Sequence, residues 1–314
     1  MNKITIIGSG AVGSTIAYTL TTLGLASEIV IIDINGEKAL GEALDIRQGT
    51  PFCSPCNIYA GLYCDAVDSD IVIITCGIAR KPGQSRLDLA QTNVNILKSI
   101  TPEITKYAPN AMYVIVSNPV DVLTYAFTKF SGIPEERIIG SGTILDTARL
   151  RARISEYYRV NQQNIHAYVL GEHGDTAVVP WSIANISNVP VEDYGNSLKN
   201  NDGFYPEFKK NEVEDFVRKS GGRVIRRKGA TYYAVSMSVC HLCKCLLSGI
   251  DTSLTVSTMV HGEYGLHDVA LSLVNVVGKN GIHGKIMVPL TDAEIADLHK
   301  SADSLKAVIN SIEI

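Results

Sequence analysis

Apolar residues in the first half of the chain fall in short, nearly continuous runs: Ile4–Ile7, Glu28–Ile34, Asn57–Ala60, Asp70–Thr75 and Met112–Val116. Runs that stay apolar at successive positions predict strands covered on both faces, rather than the in–out alternation of a half-exposed sheet. Between them, Gly13–Leu23 and Asp88–Lys106 read as helices. This strand–helix alternation predicts an α/β fold built on a right-handed, doubly wound parallel sheet. Asn118-Pro119 stops the strand that ends at Ser117, and Leu145–Tyr158 predicts an arginine-rich helix.

The second half is less regular. Asn164–Leu170 predicts a strand leading into a loop at Gly171–Asp175, and Val191–Asn211 is polar and turn-rich. Glu212–Arg227 predicts an exposed helix broken at Gly221-Gly222, and Tyr232–Ser248 a buried one. Ser257–Val260 and Ser272–Val277 read as strands, followed by a charged helix from Thr291 to Ile312. The change of pattern places a domain boundary near the start of the Leu145 helix, giving residues 1–143 and 144–314.

Composition narrows the class. With 46% hydrophobic and 19% charged residues and a formal charge of −4, the chain gives no electrostatic reason to seek nucleic acid or an anionic membrane. The basic run Arg218–Lys228 lacks interleaved aromatics and reads as a solvated helix face. Runs such as Ile71–Ile74 are far below the roughly 20 residues that span a bilayer. A strand beginning at Ile4 leaves no room for a signal peptide, so a cytoplasmic protein is expected. Seven cysteines, an odd number, fit reduced thiols. Cys53–Cys56 and Cys240–Cys245 form two clusters, and only tertiary structure could join them into a zinc site, so no metal is expected. A thiol redox sensor at Cys53 and Cys56 is the alternative use, and it requires a depressed thiol pKa.

Gly8-Ser9-Gly10-Ala11-Val12-Gly13 follows the first strand and opens the first helix. Gly8 allows the tight turn, Gly10 lets the backbone approach a pyrophosphate, and Gly13 lets helix pack on strand. The helix N-terminus offers N–H groups and a positive dipole end to the phosphates. Asp33 ends the second strand about 20 residues on, where a carboxylate accepts from ribose hydroxyls and repels a 2′-phosphate. The expected cofactor is NAD rather than NADP.

Reduction of a 2-keto acid on such a platform needs an arginine fork for the carboxylate, a histidine to protonate the ketone oxygen, and an acid to orient that histidine. His173 stands in a polar Gly-Glu-His-Gly-Asp-Thr loop, and Asp146 and Arg149 share one helical turn at i and i+3. Arg86 follows a Lys81-Pro82-Gly83 turn on a candidate lid. The same residues also fit a structural loop histidine and a surface Asp–Arg pair.

The stretches GSGAVG, KPGQSRLDL, VSNPVD, GSGTILDTARLR, NIHAYVLGEHGDT and KGATYYA decide between these. Through them the chain resembles the L-lactate/malate dehydrogenase family along nearly its whole length, most of all its bacterial lactate branch. The resemblance implies a Rossmann doubly wound parallel sheet followed by an α+β catalytic domain. It implies that His173 exchanges the proton with pyruvate and L-lactate and that Asp146 is its partner. Arg149 then grips the substrate carboxylate, Arg86 closes over the ketone, and Asn118 helps hold the substrate. Val12, Asp33, Lys38, Tyr63, Gly77, Ser99 and the segment Val116, Ser117, Asn118 match positions that line NAD, beside Gly8, Gly10 and Gly13. Arg80 departs from the lactate pattern, since malate enzymes carry an arginine there that pairs with a second carboxylate. Thr231 and Glu172 follow the lactate pattern, and a bulkier pocket wall suits a methyl group. Pyruvate/lactate is therefore expected, with malate dehydrogenase as the alternative and a non-catalytic NAD-binding protein as a remote third reading. Arg151 and His166 match positions that bind fructose 1,6-bisphosphate between subunits of allosteric relatives. The resemblance so implies an activator site and a homo-oligomer, a tetramer, working in glycolysis or fermentation.

Overall fold

Isoleucine and valine dominate the strands at the centre of the molecule, and their two sets of side chains feed two separate cores. The computed structural model describes residues 2–78, 86–198 and 208–314. Strands β1 (Lys3–Ile7), β2 (Glu28–Ile32), β3 (Asn57–Ala60), β4 (Ile71–Ile74), β5 (Met112–Ile115) and β6 (Ile138–Gly140) pair in parallel in the order β6-β5-β4-β1-β2-β3. Helices α1 (Ala11–Thr22), α2 (Gly36–Gly49), α3 (Arg86–Tyr107) and α4 (Val120–Ser131) make the crossovers, and α5 (Ile144–Tyr158) follows β6. Ile7, Ile32, Val72 and Ile74 face a core shared with Val94 and Leu97 of α3 and Val122 and Phe127 of α4. Ile4, Ile6, Ile29 and Ile31 face the opposite core, with Ile16 and Leu20 of α1 and Ala39 and Ala43 of α2. Near-continuous apolar strands are what such two-sided burial demands.

The rest of the chain adds a small antiparallel sheet, β7 (Ile165–His166), β8 (Asn185–Ile186) and β9 (Val189–Pro190), and a short helix α6 (Tyr194–Ser197). Helices α7 (Lys210–Lys228) and α8 (Tyr233–Leu246) precede a meander of β10 (Thr252–His261), β11 (His267–Gly278) and β12 (Gly281–Lys285), and α9 (Asp292–Ile309) ends the fold. The meander is not a detached layer. β10 pairs antiparallel with β6 at Ser257↔Gly140, so one nine-stranded sheet runs from β12 to β3 across the 143/144 boundary expected from sequence. α8 also crosses that boundary, packing beside α1 with Ser236 Oγ donating to the Val12 carbonyl at 3.3 Å.

Several expectations need correction. α7 runs unbroken through Gly221-Gly222. Two glycines cost a helix on the order of 1 kcal/mol each, which packing of Val213 and Val217 and the Arg218–Glu214 and Lys219–Asp215 ion pairs offset. The expected strand Asn164–Leu170 shrinks to β7 plus an isolated bridge from Leu170 to Val178. β10 and β11 exceed the runs that pointed to them: each begins five residues earlier, through the buried Leu254, Thr255 and Val256 and through Val269, Ala270 and Leu271. α8 is buried on one side only; Tyr233 and Met237 face outward. Helices α2 and α4 and strand β6 escaped the pattern reading: α2 has little apolar contrast, α4 is buried all round from Val120 to Phe127, Asp121 included, and β6 is three residues long. Part of the turn-rich segment 191–211 lies outside the described residues.

Candidate active site

Asp146 lies in the first turn of α5 and Arg149 three residues on, at the start of the next, so the two stand on neighbouring faces. Arg149 Nη1 donates to Asp146 Oδ1 at 2.8 Å. The other carboxylate oxygen, Oδ2, lies 2.5 Å from His173 Nδ1. One buried carboxylate thus fixes both a guanidinium and an imidazole. Burial alone would raise the Asp146 pKa, but the charge and hydrogen bond of His173, followed by those of Arg149, hold it below the usual carboxylate range. Burial alone would lower the His173 pKa, but Asp146 outweighs it and raises the value above that of a free imidazole. An ionised Asp146 accepts from Nδ1–H, which leaves Nε2 as the edge that carries or releases a proton.

The loop that presents His173 is fixed through its backbone. His173 N–H donates to Asp121 Oδ2 at 2.7 Å, from the first turn of α4. Asp121 is buried, and its Oδ1 has no hydrogen-bond partner among the described residues. Burial pushes its pKa up to about 6, against the smaller pull of its polar neighbours Ser257 and His173. Sequence reasoning quoted the VSNPVD stretch for Asn118 and overlooked Asp121. An acid inside the apolar start of α4 was the available signal.

A cavity of about 680 Å³ begins beside β2, lined by Gly8, Gly10, Asp33, Lys38, Tyr63, Gly77 and Ser99. A second, of about 180 Å³, continues from Gly77 past Val12 to Val116, Ser117 and Asn118. A third, of about 30 Å³, carries Val116 and Asn118 on to His173. Of the cofactor positions expected from sequence, only Gly13 lines none of the three. It is packing space instead: a Cβ there would stand 1.9 Å from the Gly8 carbonyl oxygen. Gly8 takes φ +106°, a conformation open to glycine, while a Cβ on Gly10 would meet nothing within 4 Å. Asp33 accepts from Ser9 N–H at 2.6 Å, Ser9 Oγ at 2.9 Å and Asn35 N–H at 2.8 Å. Burial raises its pKa, yet these donors lower it below the ordinary carboxylate value. A glycine turn with open space at its tip, a helix N-terminus and an ionised acid at the far end fit the pyrophosphate and ribose of NAD.

Asn93 joins the middle of this path. Its Oδ1 accepts from Ile78 N–H at 2.9 Å, and its Nδ2 donates to the carbonyls of Ile78 at 3.2 Å and Asn118 at 2.7 Å. It sits on the buried stripe of α3 with Ala90, Val94 and Leu97, a polar residue at a core position that sequence reasoning passed over.

Arg80 and the Lys81-Pro82-Gly83 turn lie outside the described residues, and so does the side chain of Arg86 at the start of α3. Thr231 is half-buried between α7 and α8. Arg151 donates through Nε to the Ala167 carbonyl at 3.0 Å and stands over the Tyr168 ring, lining a separate cavity of about 250 Å³. His166, next to Ala167, is exposed and does not line that cavity. The cysteines of α8 are buried, with burial raising the Cys240 and Cys243 pKa values, and Cys56 is raised by burial as well. None of these shifts is the depression a redox thiol needs. No helix among the described residues is long and apolar enough to cross a membrane.

Residues 2–140 match the model of the lactate/malate dehydrogenase NAD-binding domain, and residues 143–313 that of the lactate/malate dehydrogenase alpha/beta C-terminal domain. The L-lactate dehydrogenase of a Thermoanaerobacter species is 46% identical over 314 residues, covering 100% of both chains. L-lactate dehydrogenase 1 of Clostridium acetobutylicum is 47% identical over 311 residues, covering 99% of this chain and 98% of its own. Among solved structures, the minor L-lactate dehydrogenase of Enterococcus mundtii superposes with a TM-score of 0.93 at 37% identity, covering 100% of this chain and 99% of its own.

Proposed function

The chain belongs to the lactate/malate dehydrogenase family, and from that premise we propose that it is an L-lactate dehydrogenase, interconverting pyruvate and L-lactate with NADH and NAD. The observation that carries this reading is the His173–Asp146–Arg149 cluster at the end of the cavity path that starts at Asp33. NADH bound along that path supplies the hydride. His173, charged against Asp146, gives its Nε2 proton to the ketone oxygen and takes it back in the reverse direction. Arg149 forks onto the substrate carboxylate, and Asn118 orients the substrate beside Val116 and Ser117. Arg86 closes over the ketone and stabilises the charge that develops on its oxygen. Thr231 forms the wall against the methyl group. Gly8, Gly10 and Val12 cradle the phosphates, Asp33 and Lys38 hold the adenosine end, and Tyr63, Gly77 and Ser99 line the rest. We place the change from cofactor to substrate domain at 143/144.

Arg80 favours the malate reading, because a second cation suits a dicarboxylate. The relatives at 46% and 47% identity carry the lactate name and weigh against it. NADH oxidation with pyruvate and oxaloacetate side by side decides. A higher kcat/KM for pyruvate is expected, and a higher value for oxaloacetate overturns the assignment.

The same reading extends to a cytoplasmic homotetramer that regenerates NAD in fermentation, activated by fructose 1,6-bisphosphate at Arg151 and His166. What supports this part is that Arg151 lines a cavity and bonds the carbonyl of Ala167, the residue after His166. A bisphosphate that leaves pyruvate saturation and the oligomeric state unchanged removes this part.

A further inference from the structure

His173 is carried by the turn Glu172–Thr176, and one residue of the C-terminal helix touches both ends of that turn. Ser301 of α9, with 0% of its surface exposed, accepts the Glu172 N–H at 2.8 Å, and its hydroxyl lies 3.1 Å from that of Thr176. Thr176 donates to the Glu172 carboxylate. Its proton being committed there, the Ser301 proton goes to Thr176. The bonds form a closed circuit from Glu172 N–H through Ser301 and Thr176 back to the Glu172 side chain. Gly171 admits the close approach, since a Cβ there would stand 2.6 Å from Ser301 Oγ. The next amide, His173 N–H, is taken by Asp121. Consecutive amides of the turn are therefore held by two helices, α9 and α4.

We propose, resting on the function assigned above, that Ser301 is a positioning residue: its hydroxyl holds the Glu172–Thr176 turn where His173 Nδ1 meets Asp146. Packing alone does not call for a serine, because its neighbours on the buried side of α9 are Leu298, Ala302 and Leu305, which an alanine would match. A buried hydroxyl is retained where its bonds are needed. The geometry it supports is sensitive, since a shift of about 1 Å in a reacting group costs up to roughly 10²-fold in rate. Among the described residues, the charged groups facing His173 are Asp146 and Arg149 on α5 and Asp121 on α4, and only Asp146 meets its ring directly. Loosening the turn therefore weakens chiefly the Asp146 contribution.

The test is Ser301→Ala in the full chain, read by NMR titration of the His173 imidazole and by pyruvate reduction. The expected result is a His173 pKa moved toward the acid side, a kcat lowered about 10-fold and an unchanged KM for NADH. Thr176→Val breaks the circuit from the turn and leaves α9 untouched, so a titration shifted in the same direction is expected. A His173 titration equal to that of the unaltered chain in both variants, with kcat within about twofold, overturns the proposal. Should Ser301→Ala fail to fold, the Thr176→Val titration decides alone. The titration needs no turnover, so an unaltered chain without activity toward pyruvate would overturn the assigned function while the circuit is still judged.

Discussion

Asp146 meets His173 at 2.5 Å with one carboxylate oxygen and keeps the other for Arg149 at 2.8 Å. The proton donor and the carboxylate fork of the proposed reaction are registered by a single acid. The folded-state pKa of His173 lies above its free value, so the pairing stabilises the charged ring fully below that free value and is lost as pH rises through the raised one. Pyruvate reduction, which needs the proton, should fall as pH rises through that raised pKa, and lactate oxidation should climb over the same interval. Asp146→Asn should shift both limbs to lower pH and cut kcat/KM by roughly 10²- to 10⁴-fold. Paired pH–rate profiles check this, and unmoved limbs would count against it.

Asp121 behaves in the opposite sense. Its carboxyl is raised to about 6 from an ordinary 3.8, so the cost of burying its charge is absent at low pH and complete above about 6. Asp121→Asn removes that charge, and the new amide can donate toward the Ser257 hydroxyl, which also lacks a partner. The variant should be more stable than the parent at pH 8, by on the order of 3 kcal/mol, with the gap closing as pH falls toward 4. Its His173 should titrate at lower pH, since Asp121 helps to hold that ring charged. Denaturant melts at several pH values provide the comparison.

Arg149→Lys keeps the charge and loses the planar fork. Losing one charge-assisted bond of about 1.5–3 kcal/mol should raise the KM for pyruvate roughly 10- to 100-fold. NADH binding should hold, because Arg149 lines none of the cavities between Asp33 and His173. Steady-state kinetics with a parallel NADH titration separate the two effects, and a loss confined to NADH would refute the assignment.

Gly13→Ala inserts a methyl group 1.9 Å from the Gly8 carbonyl oxygen and 2.7 Å from Thr75 Oγ1. Overpacking of this kind costs about 1–3 kcal/mol or more, and relief requires Gly8 to move. A lowered melting temperature together with weakened NADH binding is expected. Gly10→Ala meets open space in the protein and should keep its melting temperature while weakening NADH binding.

Much of this was readable before the structure. The strands β1, β2 and β4 announced themselves because both faces are buried, and the glycine motif with Asp33 located the cofactor end. What stayed hidden has a common cause: residues whose roles arise from contacts distant in sequence. Ser301 lies 129 positions from the Glu172 amide it accepts, and Asp121 lies 52 from that of His173. The full length of β10 was not legible because Thr255 is polar, and only the fold shows that Thr147 bonds it inside the core, as Asn275 bonds Thr258. Gly221-Gly222 misled for the converse reason, since a local helix breaker was overruled by its packing.

The pairing of β10 with β6 carries a mechanical consequence. Two lobes joined by a flexible linker can rock against each other, but lobes whose strands pair at Ser257 and Gly140 cannot open at that seam without parting the pair. Access to the site is therefore left to surface segments, while the floor under NAD and pyruvate stays rigid. Cutting the chain at residue 143 would free no independent cofactor module. It would bare the β6 edge and the α1 face that α8 covers, and the fragment should aggregate through them.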